Sequence, residues 1–109
     1  MNKDLRILAL LSAQRALIDE IKPYVRAISM EITPSRLKLW IFHDGAVPEK
    51  DVEDFDALVI TQIAADFPYP DKQDPMCSFE FVRSDQPNKI NAPGELIFRR
   101  WEIEKNEGI

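Results

Sequence analysis

The stretch that decides the fold is Tyr24-Val25-Arg26-Ala27-Ile28-Ser29-Met30-Glu31-Ile32, then Thr33-Pro34-Ser35, then Arg36-Leu37-Lys38-Leu39-Trp40-Ile41-Phe42-His43. Apolar positions recur at every second residue. Ile28, Met30 and Ile32 share one face of the first run, and Leu37, Leu39 and Ile41 share one face of the second. Successive side chains of a strand point to opposite faces, so each run predicts a strand with one face toward a core. The short proline-containing segment between them is a turn, and the pair reads as a hairpin.

Ahead of the hairpin, from about Asn2 to Lys22, Ile7, Leu10, Leu11, Ala13, Leu17, Ile18 and Ile21 recur with the helical period. They predict a helix that Asn2 caps and Pro23 ends, with Arg15, Asp19 and Lys22 on its wet side and Leu5 and Leu8 off the arc. After it, Asp44-Gly45 marks a break and Pro48 suits a first helical turn. A second helix then runs to about Asp66, burying Val52, Phe55, Val59 and Ile63 with Ile60 and Phe67 beside them; Asp56 intrudes on that stripe and Pro68 stops it. Cys77, Phe79 and Phe81 alternate in a third strand, and Leu96 to Trp101 supplies a fourth. The order α-β-β-α-β-β reads as two helix-plus-hairpin units. It predicts an α+β two-layer sandwich: a four-stranded, mainly antiparallel sheet with both helices on one face.

A chain of 109 residues with 45% apolar and 30% charged residues is expected to form a single domain spanning 1–109. Its net charge of −5 argues against nucleic acid or anionic membrane as partner, since both call for a basic footprint. The charge is segregated. Residues 1–43 carry seven basic and four acidic groups, 44–80 carry two and ten, and 81–109 carry five of each, giving +3, −8 and 0. No apolar run approaches the roughly 18 residues of a membrane span, and the lone Cys77 points to a reducing, cytoplasmic setting.

His43, the only histidine, precedes Asp44 at a strand end, where catalytic groups often sit. A small enzyme built on His43 and Asp44 with Cys77 is one reading, but no nucleophile elbow accompanies them and Cys77 alternates with phenylalanines as a buried thiol would. Metal-ligand spacings and phosphate-binding glycine motifs are missing, so neither a metal nor a cofactor is expected. Glu49 and Asp51 suit the first turn of a helix, where carboxylates interact favourably with the macrodipole. Glu53, Asp54, Asp66, Asp71 and Asp74 are not accounted for in that way and are the candidates for an acidic binding surface. Trp40 and Phe42 point off the Leu37–Ile41 face, and with Lys38, Ile97 and Trp101 they are expected on an open sheet face. Trp40, Phe42 and Trp101 are therefore the candidates for an interface between two copies.

Ala13-Gln14-Arg15-Ala16-Leu17, Val25-Arg26-Ala27, Phe42-His43-Asp44-Gly45, Pro48-Glu49-Lys50-Asp51, Ala65-Asp66-Phe67-Pro68 and Gly94-Glu95-Leu96-Ile97-Phe98-Arg99-Arg100 together resemble small bacterial proteins of toxin–immunity loci. Contact-dependent growth inhibition immunity proteins are the nearest named group. The resemblance implies a non-enzymatic cytoplasmic protein that binds and blocks a cognate toxin domain. Immunity surfaces differ among relatives, so it carries over no binding residue. An acidic inhibitor suits a toxin with a basic cleft, such as a nuclease.

Overall fold

The computed structural model describes residues 3–33, 36–66 and 76–102. Helix α1 (Lys3–Ala16) leads into strands β1 (Val25–Thr33) and β2 (Arg36–His43). The second helix is continuous from 49 to 65 and consists of α2 (Glu49–Phe55), a π turn over Asp56–Ile60 and α3 (Thr61–Ala65); β3 (Met76–Arg83) and β4 (Glu95–Arg99) follow. The expected cap Asn2, the turn residues Pro34 and Ser35, and Phe67 and Pro68 lie outside the described residues.

The α+β reading with its four-stranded sheet holds. Strand order is β3-β2-β1-β4, with β1 antiparallel to both β2 and β4 and β2 parallel to β3. The expected second hairpin is absent: β3 and β4 lie on opposite edges, and the chain between them must cross the whole sheet. Both connections, β2 to β3 through the second helix and β3 to β4 through 84–94, join strands of the same direction but move opposite ways across the sheet. Such crossovers are right-handed in about 98% of cases, which puts these two on opposite faces. The helices take one face and the 84–94 connection crosses the other.

That crossover changes what the helix-free face is. Residues paired across a sheet share a face, so Ala27 and Phe42, and Ser29 and Trp40, stand on it together. Ala27, Ser29 and Phe42 are nonetheless buried. The face was expected to be open, and at Phe42 it is not. Ile97 is displaced as well: a bulge sets Ile28 against Phe98 but Ser29 against Leu96, leaving Ile97 as the extra residue, and it packs on the core.

The core lies between helices and sheet and is made by Ile28, Met30, Leu37, Leu39 and Ile41 from the central strands with Phe55, Val59, Ile60 and Ile63 from the second helix. Phe79 and Phe81 of β3 pack on Phe55, with ring centroids 5.3 and 5.4 Å away, the first tilted and the second edge-on. The π turn places both Val59 and Ile60 inside and leaves Asp56, Ala57 and Leu58 exposed, so Asp56 does not intrude on the buried stripe.

Helix α1 departs most from expectation. It stops at Ala16, not Lys22, and a turn follows in which Asp19 takes a left-handed backbone conformation, φ 65°. Its buried side is Ala9, Ser12, Ala13 and Ala16, with Leu5 against the core, while Ile7, Leu8, Leu11 and Ile18 are exposed. The large aliphatics face outward because small side chains let α1 approach the second helix and the sheet closely.

Candidate functional site

The carboxylates of the second helix divide by what they touch. Asp51 accepts a hydrogen bond from the Tyr24 hydroxyl at 2.8 Å, and burial together with that carboxylate pushes the phenol's pKa up. Asp54 pairs with Lys50 at 3.0 Å one turn away. Asp66 faces α1 instead of solvent, accepting from Ser12 Oγ at 2.6 Å and from Arg15 at 2.8 Å, and these bonds hold its pKa below the usual carboxylate value. Asp66 therefore ties the second helix to α1. Asp71 and Asp74 lie outside the described residues.

Glu53 is exposed, as are Glu49 and Asp56, and the three follow one another at i, i+4 and i+7 along the same side of the helix. In the sequence Glu49 stands as a first-turn charge and Asp56 as an interruption of the core stripe; the fold joins both to Glu53 on one exposed side. Asp56 comes close enough to β3 to reinforce the effect of burial on Cys77, whose thiol is pushed up to about 11. This acidic side thus lies at the β3 edge of the helical layer. At the other edge α1 carries Arg6, paired with Glu95 of β4. Between the two helices, Arg15 and Asp66 pair at 2.8 Å.

The aromatic candidates do not form one surface. Trp40 donates its indole N–H to Glu31 Oε1 at 2.7 Å, and Lys38 Nζ sits 3.9 Å from the ring centroid while pairing with Glu80 at 3.0 Å. Phe42 is buried, and Trp101, 82% exposed, follows the end of β4 on the far side of β1.

His43 and Asp44 prove to be part of a clasp. The His43 ring is buried against Tyr24 and Phe81, its Nδ1 2.9 Å from the Gly45 carbonyl oxygen, and its own carbonyl accepts the Ser84 N–H. Asp44 accepts the Gln86 N–H at 2.6 Å and Asp85 accepts the Gly45 N–H at 2.7 Å, so the two loops exchange side-chain-to-backbone bonds. Cys77 pairs with Leu37 near the start of β2, six residues from His43 at its end, a distance of roughly 20 Å along the strand. The structure does not bring the three residues of the enzyme reading together. Among the described residues no three His, Cys, Asp or Glu side chains group as metal ligands, and no helix is long and apolar enough to cross a membrane.

An ionic network that sequence reasoning missed fixes the same corner. Arg26 donates to both carboxylate oxygens of Glu102, at 2.7 and 2.9 Å, and to the carbonyls of Ser84 and Asn88 at 2.7 and 2.9 Å. Arg100 joins Glu102 to Asp44 and also holds the Pro23 carbonyl. Arg26 sits at an irregularity of β1 between Val25 and Ala27, which frees it from the strand's alternation. No periodicity in the sequence marks that site. Hydrogen bonds from Arg26 and Arg100, against the opposing effect of burial, push Glu102 down to about 2.

That depression has a sign. The folded-state pKa lies below the unfolded value near 4.5, so the stabilisation is complete above about pH 4.5 and is lost as pH falls toward 2. After allowance for residual solvent, a loss of roughly 2 to 3 kcal/mol is expected over that window. Urea midpoints measured from pH 6 to 2.5 should fall, and Glu102→Gln should flatten the fall.

A family model described as MafI2 immunity protein matches residues 6–102, which take in nearly all of α1 and every later element through β4. The match agrees with the resemblance to toxin-immunity proteins at that level; the family it names is MafI2, not the contact-dependent growth inhibition group. No curated protein matches the chain.

Proposed function

Because the chain belongs to the MafI2 immunity protein family, we propose that it binds a cognate bacterial toxin domain in the cytoplasm and neutralises it by occupying its functional surface, without catalysing a reaction. The family match over 6–102 carries this reading. The geometry supports a particular side for the contact: Glu53 and Asp56, continued by the first-turn Glu49, form an exposed acidic face on the second helix. Such a face suits a toxin with a basic cleft, a nuclease being the leading case, because opposite charge speeds association and excludes a polyanionic substrate. Asp54, beside it and paired with Lys50, belongs to its rim. Asp71 and Asp74 follow the same helix in sequence and remain candidates on charge alone. Asp66 is engaged by Ser12 and Arg15 and so serves the fold before any partner.

The test pairs this chain with a toxin-like domain sought among the products of the neighbouring genes. Co-expression should rescue cells from that toxin, and the two proteins should co-purify. Neither rescue nor a complex at micromolar concentration would refute the reading. Given a complex, Glu53→Lys with Asp56→Lys should slow association about tenfold at low salt and flatten its salt dependence, with little change in stability because both positions are exposed. An unchanged association rate would move the contact elsewhere.

A further inference from the structure

Of the large apolar side chains exposed among the described residues, Ile7, Leu8, Leu11 and Ile18 belong to α1 or the turn after it. At about 100° per residue, Asp4, Ile7, Leu8, Leu11 and Arg15 fall within an arc of roughly 100°. That arc is opposite the buried Ala9, Ser12, Ala13 and Ala16. The stripe is therefore continuous, apolar in its middle, and ended by one acidic and one basic residue. Leu11 at 57% and Ile18 at 65% are as exposed as polar surface residues, an arrangement that ordinary surface helices avoid.

The stripe also matches itself. Asp4 and Arg15 are centred on the same point of the helix as Leu8 and Leu11. A second α1 laid antiparallel about that centre sets each Asp4 beside the other copy's Arg15, and each Leu8 beside the other copy's Leu11. Two-fold contacts require such self-complementarity. An antiparallel pair also sets opposite ends of the two helix macrodipoles together. Arg15 keeps 58% of its side chain exposed while holding Asp66 through one nitrogen, so its guanidinium has donors for a second carboxylate. A toxin of unrelated sequence has no need of a stripe that mirrors itself.

We propose that α1 is a homodimer contact and that its occupant is the antiparallel α1 of a second copy. The acidic face of the second helix then stays on the outside of the pair, free for a different partner. One helix stripe on another buries less than the roughly 1,200 Å² of the smaller stable interfaces, so the dimer is weak, with a dissociation constant of about 10 to 100 µM.

Sedimentation velocity on the full chain from about 2 to 300 µM brackets that range. The weight-average mass should climb toward twice the monomer. Leu11→Asp should raise the dissociation constant at least about tenfold while leaving the circular dichroism spectrum and Tm unchanged. Asp4→Lys should weaken the dimer less, and Glu53→Lys should leave it intact. A wild-type chain that stays monomeric throughout overturns the proposal, as does a dimer indifferent to Leu11→Asp. Loss of toxin neutralisation in Leu11→Asp with a monomeric wild type would assign the stripe to the toxin and equally overturn it.

Discussion

Replacing Arg26 with alanine is expected to lower the unfolding free energy by about 3 to 5 kcal/mol, the cost typical of removing one partner from a buried ion pair. The side chains of Arg26 and Glu102 are only 6% and 14% exposed. Without the guanidinium, Glu102 keeps Arg100 but loses two charge-assisted hydrogen bonds, and the carbonyls of Ser84 and Asn88 lose their shared donor. The consequence reaches beyond one pair, because those carbonyls belong to the crossover that carries the chain from β3 to β4. Lysine should not rescue the loss: a single ammonium cannot hold the carboxylate through two parallel bonds while also serving two carbonyls. Urea unfolding followed by circular dichroism measures the change, and Arg26→Ala with Glu102→Gln in a double-mutant cycle isolates the pair. A loss below about 1 kcal/mol, in the range of exposed pairs, would mean the network is solvated and idle.

The parts of this fold legible in the sequence were those whose burial follows a short period. Leu37, Leu39 and Ile41 alternate because β2 has helices on one side, and all three are fully buried. Phe55, Val59 and Ile63 repeat by four, and the π turn that follows Phe55 does not disturb that spacing. Helix α1 misled because hydropathy weighs side-chain size. Its buried face was chosen for closeness, with Ala9, Ala13 and Ala16 admitting the neighbouring helix, so the large residues mark the opposite side. The repeated small residues at i, i+4 and i+7 were the signal available. Pairing of β3 with β4 was inferred from adjacency in the chain, which is sound for short turns; residues 84–94 instead carry a crossover, and what marks them is Gly94.

The candidate site was legible as charge and obscure as geometry. Composition placed the negative charge between Asp44 and Glu80, but whether a carboxylate faces water or a neighbour depends on contacts remote in sequence. Asp66 meets Ser12 and Arg15, more than fifty residues away, and only the fold engages it. The Phe42-His43-Asp44-Gly45 run is visible as a motif, and its role follows from the loop contacts, in which Asp44 accepts the Gln86 N–H and Asp85 accepts the Gly45 N–H.

Gly94→Ala is expected to be about as damaging as loss of Arg26, by a steric route. Gly94 has φ 74°, in the left-handed region, and a Cβ built there would overlap the Met30 carbonyl oxygen and stand 3.0 Å from Glu31 Cα. Both obstacles are backbone atoms of β1, so no rotamer change relieves them. The left-handed conformation costs an L-residue about 1 to 2 kcal/mol, and forced overpacking adds roughly 1 to 3, giving an expected loss of about 2 to 5 kcal/mol in urea unfolding. Gly45 serves as the internal comparison. It has nearly the same φ, 66°, but nothing within 4 Å of its added Cβ, so Gly45→Ala should lose only the conformational part. The difference between the two variants then measures how tightly the crossover seats against β1 as it enters β4. If the two losses are equal, the close approach at Met30 contributes nothing, and the chain before β4 has room to lift from the sheet. If Gly94→Ala loses more, that approach helps to fix the register in which Glu95 meets Met30 and Leu96 meets Ser29.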